Sequence, residues 1–232
     1  MQTGPNHCIT GYEIPDIESF TLKLLLKELE MSDAKFMVIT VADPEKLSAT
    51  EASDQLGQAI SDLKANSNVL TARWGRFGTG ENVGKIIAFQ SYASMADIES
   101  GYEAFSGSSA YANFLDKATV LKRGILRLHD IDTPAIPGDT AKYVVMVRFQ
   151  SSEPMTEQAG HAAKVFVENG GLSARYGTIM TGGNIGHRLL GVIYPSMAAI
   201  EAAYDAVQTD TIYQETLLKI NLGARNIVRL LG

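Results

Sequence analysis

Ala72-Arg73-Trp74-Gly75, followed by Thr79-Gly80-Glu81-Asn82-Val83-Gly84, returns later in the chain as Ala174-Arg175-Tyr176-Gly177, followed by Thr181-Gly182-Gly183-Asn184-Ile185-Gly186. The offset between the copies stays constant through two further blocks. Ser94-Met95-Ala96-Asp97-Ile98-Glu99 returns as Ser196-Met197-Ala198-Ala199-Ile200-Glu201, and Arg123-Gly124-Ile125-Leu126-Arg127-Leu128 as Arg225-Asn226-Ile227-Val228-Arg229-Leu230. Aligned without gaps, roughly a third of the positions from Thr71 to Leu128 are identical to those from Ser173 to Leu230, against about 5 to 7% by chance. The chain is a duplicated module, and duplication decides the fold.

Each copy reads the same way. Ala34 to Val41 and Ala141 to Arg148 are short apolar, β-branched runs that predict a first strand. A helix follows, with Leu56, Ile60 and Leu63 on one face in copy one and Ala162, Val165 and Phe166 in copy two, the latter stopped by Asn169-Gly170-Gly171. A second strand is predicted over 71–77 and 173–179, and a third over 85–90 and 187–193. Ser94 and Ser196 then supply an N-cap hydroxyl for a second helix, whose expected buried face is Met95, Ile98, Tyr102 and Phe105, or Met197, Ile200, Tyr204 and Val207. A fourth strand closes each copy at 123–128 and 225–230. The order is βαββαβ, which is ferredoxin-like and α+β. The division is an N-terminal extension at 1–33, a first module at 34–128, a linker at 129–140 with Pro134, Pro137 and Gly138, and a second module at 141–232. Ile17, Phe20, Leu24, Leu25 and Leu29 fall near helical spacing in the extension, predicting a helix that docks on the first module or on another chain.

A sheet with both helices on one face leaves its other face bare, and that face is too apolar to stay wet. The remedy is for the two sheets to pack face to face within one chain. With its strand order, S-M-A-x-I-E helix start and glycine-rich hairpin, the stretch from Ala34 to Gly232 resembles the dimeric α/β-barrel superfamily. That superfamily includes the antibiotic-biosynthesis monooxygenases, the NIPSNAP-like proteins and the stress-responsive barrel proteins. The resemblance implies an intramolecular pseudo-dimeric barrel. It leaves activity open, since such barrels serve oxygenases, isomerases, cyclases, haem proteins and proteins without known activity.

Composition narrows the partners. A net charge of −6 without a Lys/Arg cluster argues against nucleic acid. No apolar run reaches the roughly 18 residues of a membrane span, and no basic n-region precedes an apolar stretch. A single cysteine, Cys8, forms no intrachain disulfide and suits a reducing compartment, so a cytoplasmic protein is expected. His7, His129, His161 and His187 lack metal-ligand spacing, and no cofactor motif is present, so neither metal nor cofactor is expected.

The segment Gly78 to Gly84 joins strand to strand without GxGxxG spacing, so it reads as a hairpin turn in preference to a phosphate cradle, although a ligand touches it if it rims a pocket. Arg73 and Arg175 recur within strands, on the face opposite Trp74 and Tyr176, and inside a barrel they would need anionic partners, either side chains or a ligand. His187 stands where copy one has Lys85 and is the weak candidate for a general base. The ligand-binding candidates are therefore Arg73, Arg175, Tyr176, Asn184 and His187, with any site expected in copy two. Three functions stay open: a cofactor-independent oxygenase or isomerase with a pocket between sheet and helices, a non-catalytic protein holding a small apolar or anionic metabolite, and a structural or interaction module. Pairing of whole chains into a homodimer is left undecided.

Overall fold

A computed structural model describes residues 33–132 and 141–232; the helix expected at 17–29, Cys8, His7 and most of the linker lie outside them. The first module runs β1 (Phe36–Asp43), α1 (Ala49–Asn66), β2 (Thr71–Phe77), β3 (Ile86–Tyr92), α2 (Met95–Gly107), α3 (Ser109–Leu115) and β4 (Thr119–His129). The second repeats the order with β5 (Tyr143–Gln150), α4 (Thr156–Glu168), β6 (Ser173–Ile179), β7 (Arg188–Tyr194), α5 (Met197–Gln208), α6 (Thr211–Leu217) and β8 (Asn221–Leu230).

Local chemistry explains the elements. Ser48 and Glu51 form a reciprocal capping box at the start of α1, the Ser48 amide donating to Glu51 at 3.0 Å and the Glu51 amide to the Ser48 hydroxyl at 3.2 Å. Ser94 and Ser196 accept the Asp97 and Ala199 amides at the starts of α2 and α5, as expected. Leu56, Ile60, Leu63, Ala162 and Phe166 are buried under their helices. The expected faces of α2 and α5 need one correction: Met95 and Met197 are exposed, while Ile98, Phe105, Ile200 and Val207 are buried. The methionines occupy the first helical position, and the contact stripe starts one turn later at Ile98 and Ile200; in α2, Gly101 then lets the helix sit directly on the Tyr92 hydroxyl. The short helices α3 and α6 are additions to βαββαβ, capped by Ser108 and Asp210.

All strand pairs are antiparallel, in the ring order β1-β3-β2-β8-β5-β7-β6-β4, which closes into a barrel. Each module contributes one ferredoxin-like sheet, and the sheets meet in two ways. Their inner faces share one core, with Val41, Phe77, Ile87 and Leu126 of the first module against Val144, Met146, Ile179, Leu189 and Val228 of the second. Their edges are also hydrogen-bonded, β2 to β8 (Gly75↔Leu230 through Phe77↔Val228) and β4 to β6 (Leu126↔Ile179 through His129↔Tyr176). Edge pairing removes the open strand edges that face-to-face packing alone would leave.

The glycine-rich connections are hairpins, with Gly80, Gly84, Gly182, Gly186 and Asn184 at positive φ. They also clasp the opposite module: the Thr79 hydroxyl accepts the Ile227 amide at 2.8 Å and the Thr181 hydroxyl accepts the Ile125 amide at 3.0 Å. The recurring Gly75 and Gly177 lie on the two seams, where a Cβ on Gly177 would stand 2.7 Å from the Arg127 carbonyl oxygen.

Two outcomes follow. Gly177→Ala should lower stability by about 1 to 3 kcal/mol because backbone must give way at the seam, whereas Gly183→Ala, with nothing within 4 Å of its Cβ, should change the urea midpoint little. Glu51, Asp62, Asp97 and Asp210 accept hydrogen bonds at or beside helix caps, from Ser48, Ser108, Ser94 and the Tyr213 amide above all, and all four are held below the ordinary carboxylate range. Depressed folded values make this stability complete above the unfolded pKa of about 4 and lost as pH falls through the folded ones. Melting temperature against pH should therefore drop below about pH 4, and less steeply in Asp210→Asn.

Candidate functional site

The barrel interior is not filled to its end. Beneath the two hairpins lies a cavity of about 130 Å³ lined by both modules. Its floor is apolar, built from inward-facing residues that include Ile39, Phe77, Ile87, Met146, Ile179 and Leu189. Its rim is polar, with Asn82 and Asn184 from the hairpins, Thr181, Asn226 and Arg148. The lining sits across equivalent parts of the two modules, since Ile39 matches Met146, Phe77 matches Ile179 and Asn82 matches Asn184 in the repeat.

The cations at the rim differ in what answers them. Lys122 has Glu81 at 3.8 Å. Arg123 directs its guanidinium away from the cavity, onto the Thr40 and Tyr111 hydroxyls and over the Tyr102 ring. Arg148 has no ion pair among the described residues, and its Nε is buried without a hydrogen-bond partner. Its charge is the one on the rim that asks for a ligand.

The expected site residues do not converge. Asn184 lines the cavity. His187 is inward-facing two residues before Leu189; its Nε2 accepts from Gln150 Nε2 at 2.7 Å, and its Nδ1 is buried without a partner among the described residues. Arg73 and Arg175 share the inward rows with Phe77 and Ile179, but four residues along the strand, about 13 Å away, puts them toward the other end of the barrel. Burial pulls the Arg175 guanidinium below its usual range. Tyr176 faces outward into the second module's helix-covered core, donates to the Pro154 carbonyl and lies 5.5 Å from the His129 ring. Burial pushes its hydroxyl up to about 12. The space between sheet and helices, where a pocket was expected, is occupied by the two outer cores.

The recurring tyrosines of the second helix and the segment after it hold arginines of the last strand in each module. Tyr102 and Tyr111 hold Arg123, and Tyr204 and Tyr213 hold Arg225 in the same way, with the Arg225 guanidinium 4.6 Å from the Tyr204 ring centre. Arg148 is the residue that reading missed. Its signal was in the repeat, where a charged residue stands at an inward position that copy one fills with Val41. Among the described residues no cluster of three or more His, Cys, Asp or Glu side chains is placed to hold a metal ion, and no helix is long and apolar enough to cross a membrane.

The fold has many structural relatives. A protein of Fusobacterium nucleatum subsp. nucleatum described as a candidate monooxygenase superposes with a TM-score of 0.61 at 9% identity, covering 85% of this chain and 92% of its own. A variant of the chlorite dismutase of Candidatus Nitrospira defluvii gives 0.57 at 7% identity, covering 88% and 94%. A haem-binding protein of Thermus thermophilus gives 0.55 at 6%, covering 85% and 91%. At these identities the likeness establishes the fold alone, in agreement with the α/β-barrel resemblance. No curated protein matches the chain in sequence. The family described as "Domain of unknown function (DUF6854)" does match, over residues 34–128 and again over 142–230, so the chain belongs to that family and carries its domain twice.

Proposed function

We propose that this chain is a small-molecule-binding protein in which one polypeptide supplies the barrel that dimeric α/β-barrel proteins make from two, and that the ligand sits inside the barrel, between the modules. The observation that carries this reading is the cavity of about 130 Å³ with an apolar floor and an amide- and arginine-bearing rim. Apolar walls with a few convergent polar groups are the ordinary make-up of a ligand site. The size is close to the roughly 150 Å³ hole that accepts benzene in an engineered protein core, so the ligand has about six to eight non-hydrogen atoms.

Haem, which the Thermus thermophilus protein binds, does not fit here. Pockets for ligands of drug size span roughly 300 to 1,000 Å³, and a porphyrin exceeds what this barrel interior holds. Binding is favoured over an oxygenase or isomerase reaction because the one acid in the lining, Glu81, is paired with Lys122, and no histidine among the described residues lines the cavity. His187 is the residue on which the catalytic reading rests, but with Nε2 accepting from Gln150 its unpartnered Nδ1 carries the ring proton and stands as a donor, not as a base.

Titration of methyl-labelled protein with a six-carbon alcohol and the matching acid should move the methyl resonances of Ile39, Ile87, Met146, Ile179 and Leu189. Ile179→Phe, which fills the space, should abolish those shifts in a protein that still melts cooperatively. Shifts confined to the outer cores, for example at Leu56 or Val207, would overturn the reading.

A further inference from the structure

We infer that the ligand of the inter-module cavity is a short-chain monocarboxylate, held by its head group on Arg148 and bound in one orientation, one molecule per chain. This rests on the reading of the cavity as a ligand site.

Duplication alone would build a cavity with two equivalent ends. The residues that break the equivalence are grouped around Arg148. Its counterpart in the first module is Val41, and there the lining cation stands on the neighbouring strand, where Lys122 lies opposite Val41 and is paired with Glu81; the second module has Ala224 opposite Arg148, so its guanidinium has no acid beside it among the described residues. Beside Arg148 the β5–β8 ladder slips, with Arg148 opposite Ala224 and Phe149 opposite Leu222, which leaves Gly223 as the extra residue of a bulge. The same slip occurs in the first module, where Val41 is opposite Lys122 and Ala42 opposite Val120, and there the extra residue is Leu121. A Cβ on Gly223 would stand 3.5 Å from Arg148 Nε and 3.7 Å from Nη2, so a larger side chain would take the guanidinium's room. Arginine with glycine thus stands where the first module has valine with leucine, a paired change that leaves room beside the bulge for the larger charged side chain. Asn226, standing where the first module has Gly124, adds a carboxamide to the same lining.

The chemistry of the head group follows from what the lining lacks. Arg148 Nε has no partner, and Glu81, the only acid in the lining among the described residues, is taken up by Lys122. A planar guanidinium matches a carboxylate edge to edge with two charge-assisted hydrogen bonds. A second carboxylate on the ligand would lie against Ile87, Ile179 and Leu189, and the other lining cations are already engaged, Lys122 by Glu81 and Arg123 by Thr40 and Tyr111, so its burial would be costly. The rest of the ligand is therefore hydrocarbon, and the volume limits it to a few carbons.

Calorimetric titration with hexanoate, hexan-1-ol and adipate tests this on the wild-type chain and on Arg148→Met and Gly223→Leu. Hexanoate should bind one per chain and at least about tenfold tighter than the alcohol, with adipate weaker than either. Arg148→Met should cost hexanoate about tenfold or more and leave the alcohol unchanged; an apolar residue already occupies the equivalent place at Val41, and a thermal melt confirms the fold. Gly223→Leu keeps the charge and should weaken hexanoate by crowding the guanidinium. Equal binding of acid and alcohol, with no effect of either substitution, overturns the inference and leaves the small-molecule reading standing. No binding of either compound overturns both.

Discussion

The seams between β2 and β8 and between β4 and β6 are the constraint on which the rest of the molecule depends. A ferredoxin-like sheet has two free edges and one uncovered face. When two such sheets hydrogen-bond edge to edge, the ring closes and the uncovered faces become an interior. Close approach at the seam needs backbone without Cβ, which is the role of Gly75 and Gly177, and the Thr79 and Thr181 hydroxyls carry the pairing one step further into the hairpins. The motif that marks the duplication is therefore the part of each module that grips the other.

Closure divides the hydrophobic residues among separate cores. The outer ones bind each module's helices to its own sheet, and the inner one belongs to both modules at once. Packing under the helices buries Tyr92, Tyr176 and Tyr194 completely, Tyr92 against Val38 and Ile98 and the other two in the second module's outer core. The inner core stops short at the hairpin end, where the rows of side chains from opposite strands do not meet. That shortfall is the cavity, and it exists only because the two modules meet there.

A homodimer of identical modules must repeat every residue on both sides of its axis. A fused pair is free of that requirement. Val41 against Arg148, Leu121 against Gly223 and Gly124 against Asn226 are differences that only a single chain can place on one side of a shared interior. The polarity of the cavity is set by these differences around the shared bulge together with Lys122 against Ala224 and Glu81 against Gly183, which place an ion pair in one half and, among the described residues, an unpaired guanidinium in the other.

The repeat, the strand order, the helix starts at Ser94 and Ser196 and the hairpins were legible in the sequence because each rests on local rules: period-two alternation, capping hydroxyls and glycine at positive φ. The short helices α3 and α6 were not, since seven residues carry too little periodicity to stand out. Exposure of Met95 and Met197 depends on where the helix first touches the sheet, which no helical pattern states. Alternation put Arg73 and Arg175 on the face opposite Trp74 and Tyr176, but neither that this face is the barrel interior nor their distance along the strand from Asn184 and the cavity followed from it. Arg148 differs from Val41 in plain view of the repeat, yet its meaning required knowing that the second module's β5 faces the same interior as the first module's β1. By itself the sequence determined two copies of one α+β module, because that follows from contacts near in sequence. Tertiary structure decided how their edges join, where the interior stays open and which rim charge lacks an ion pair among the described residues, because each of these depends on residues brought together from opposite halves of the chain.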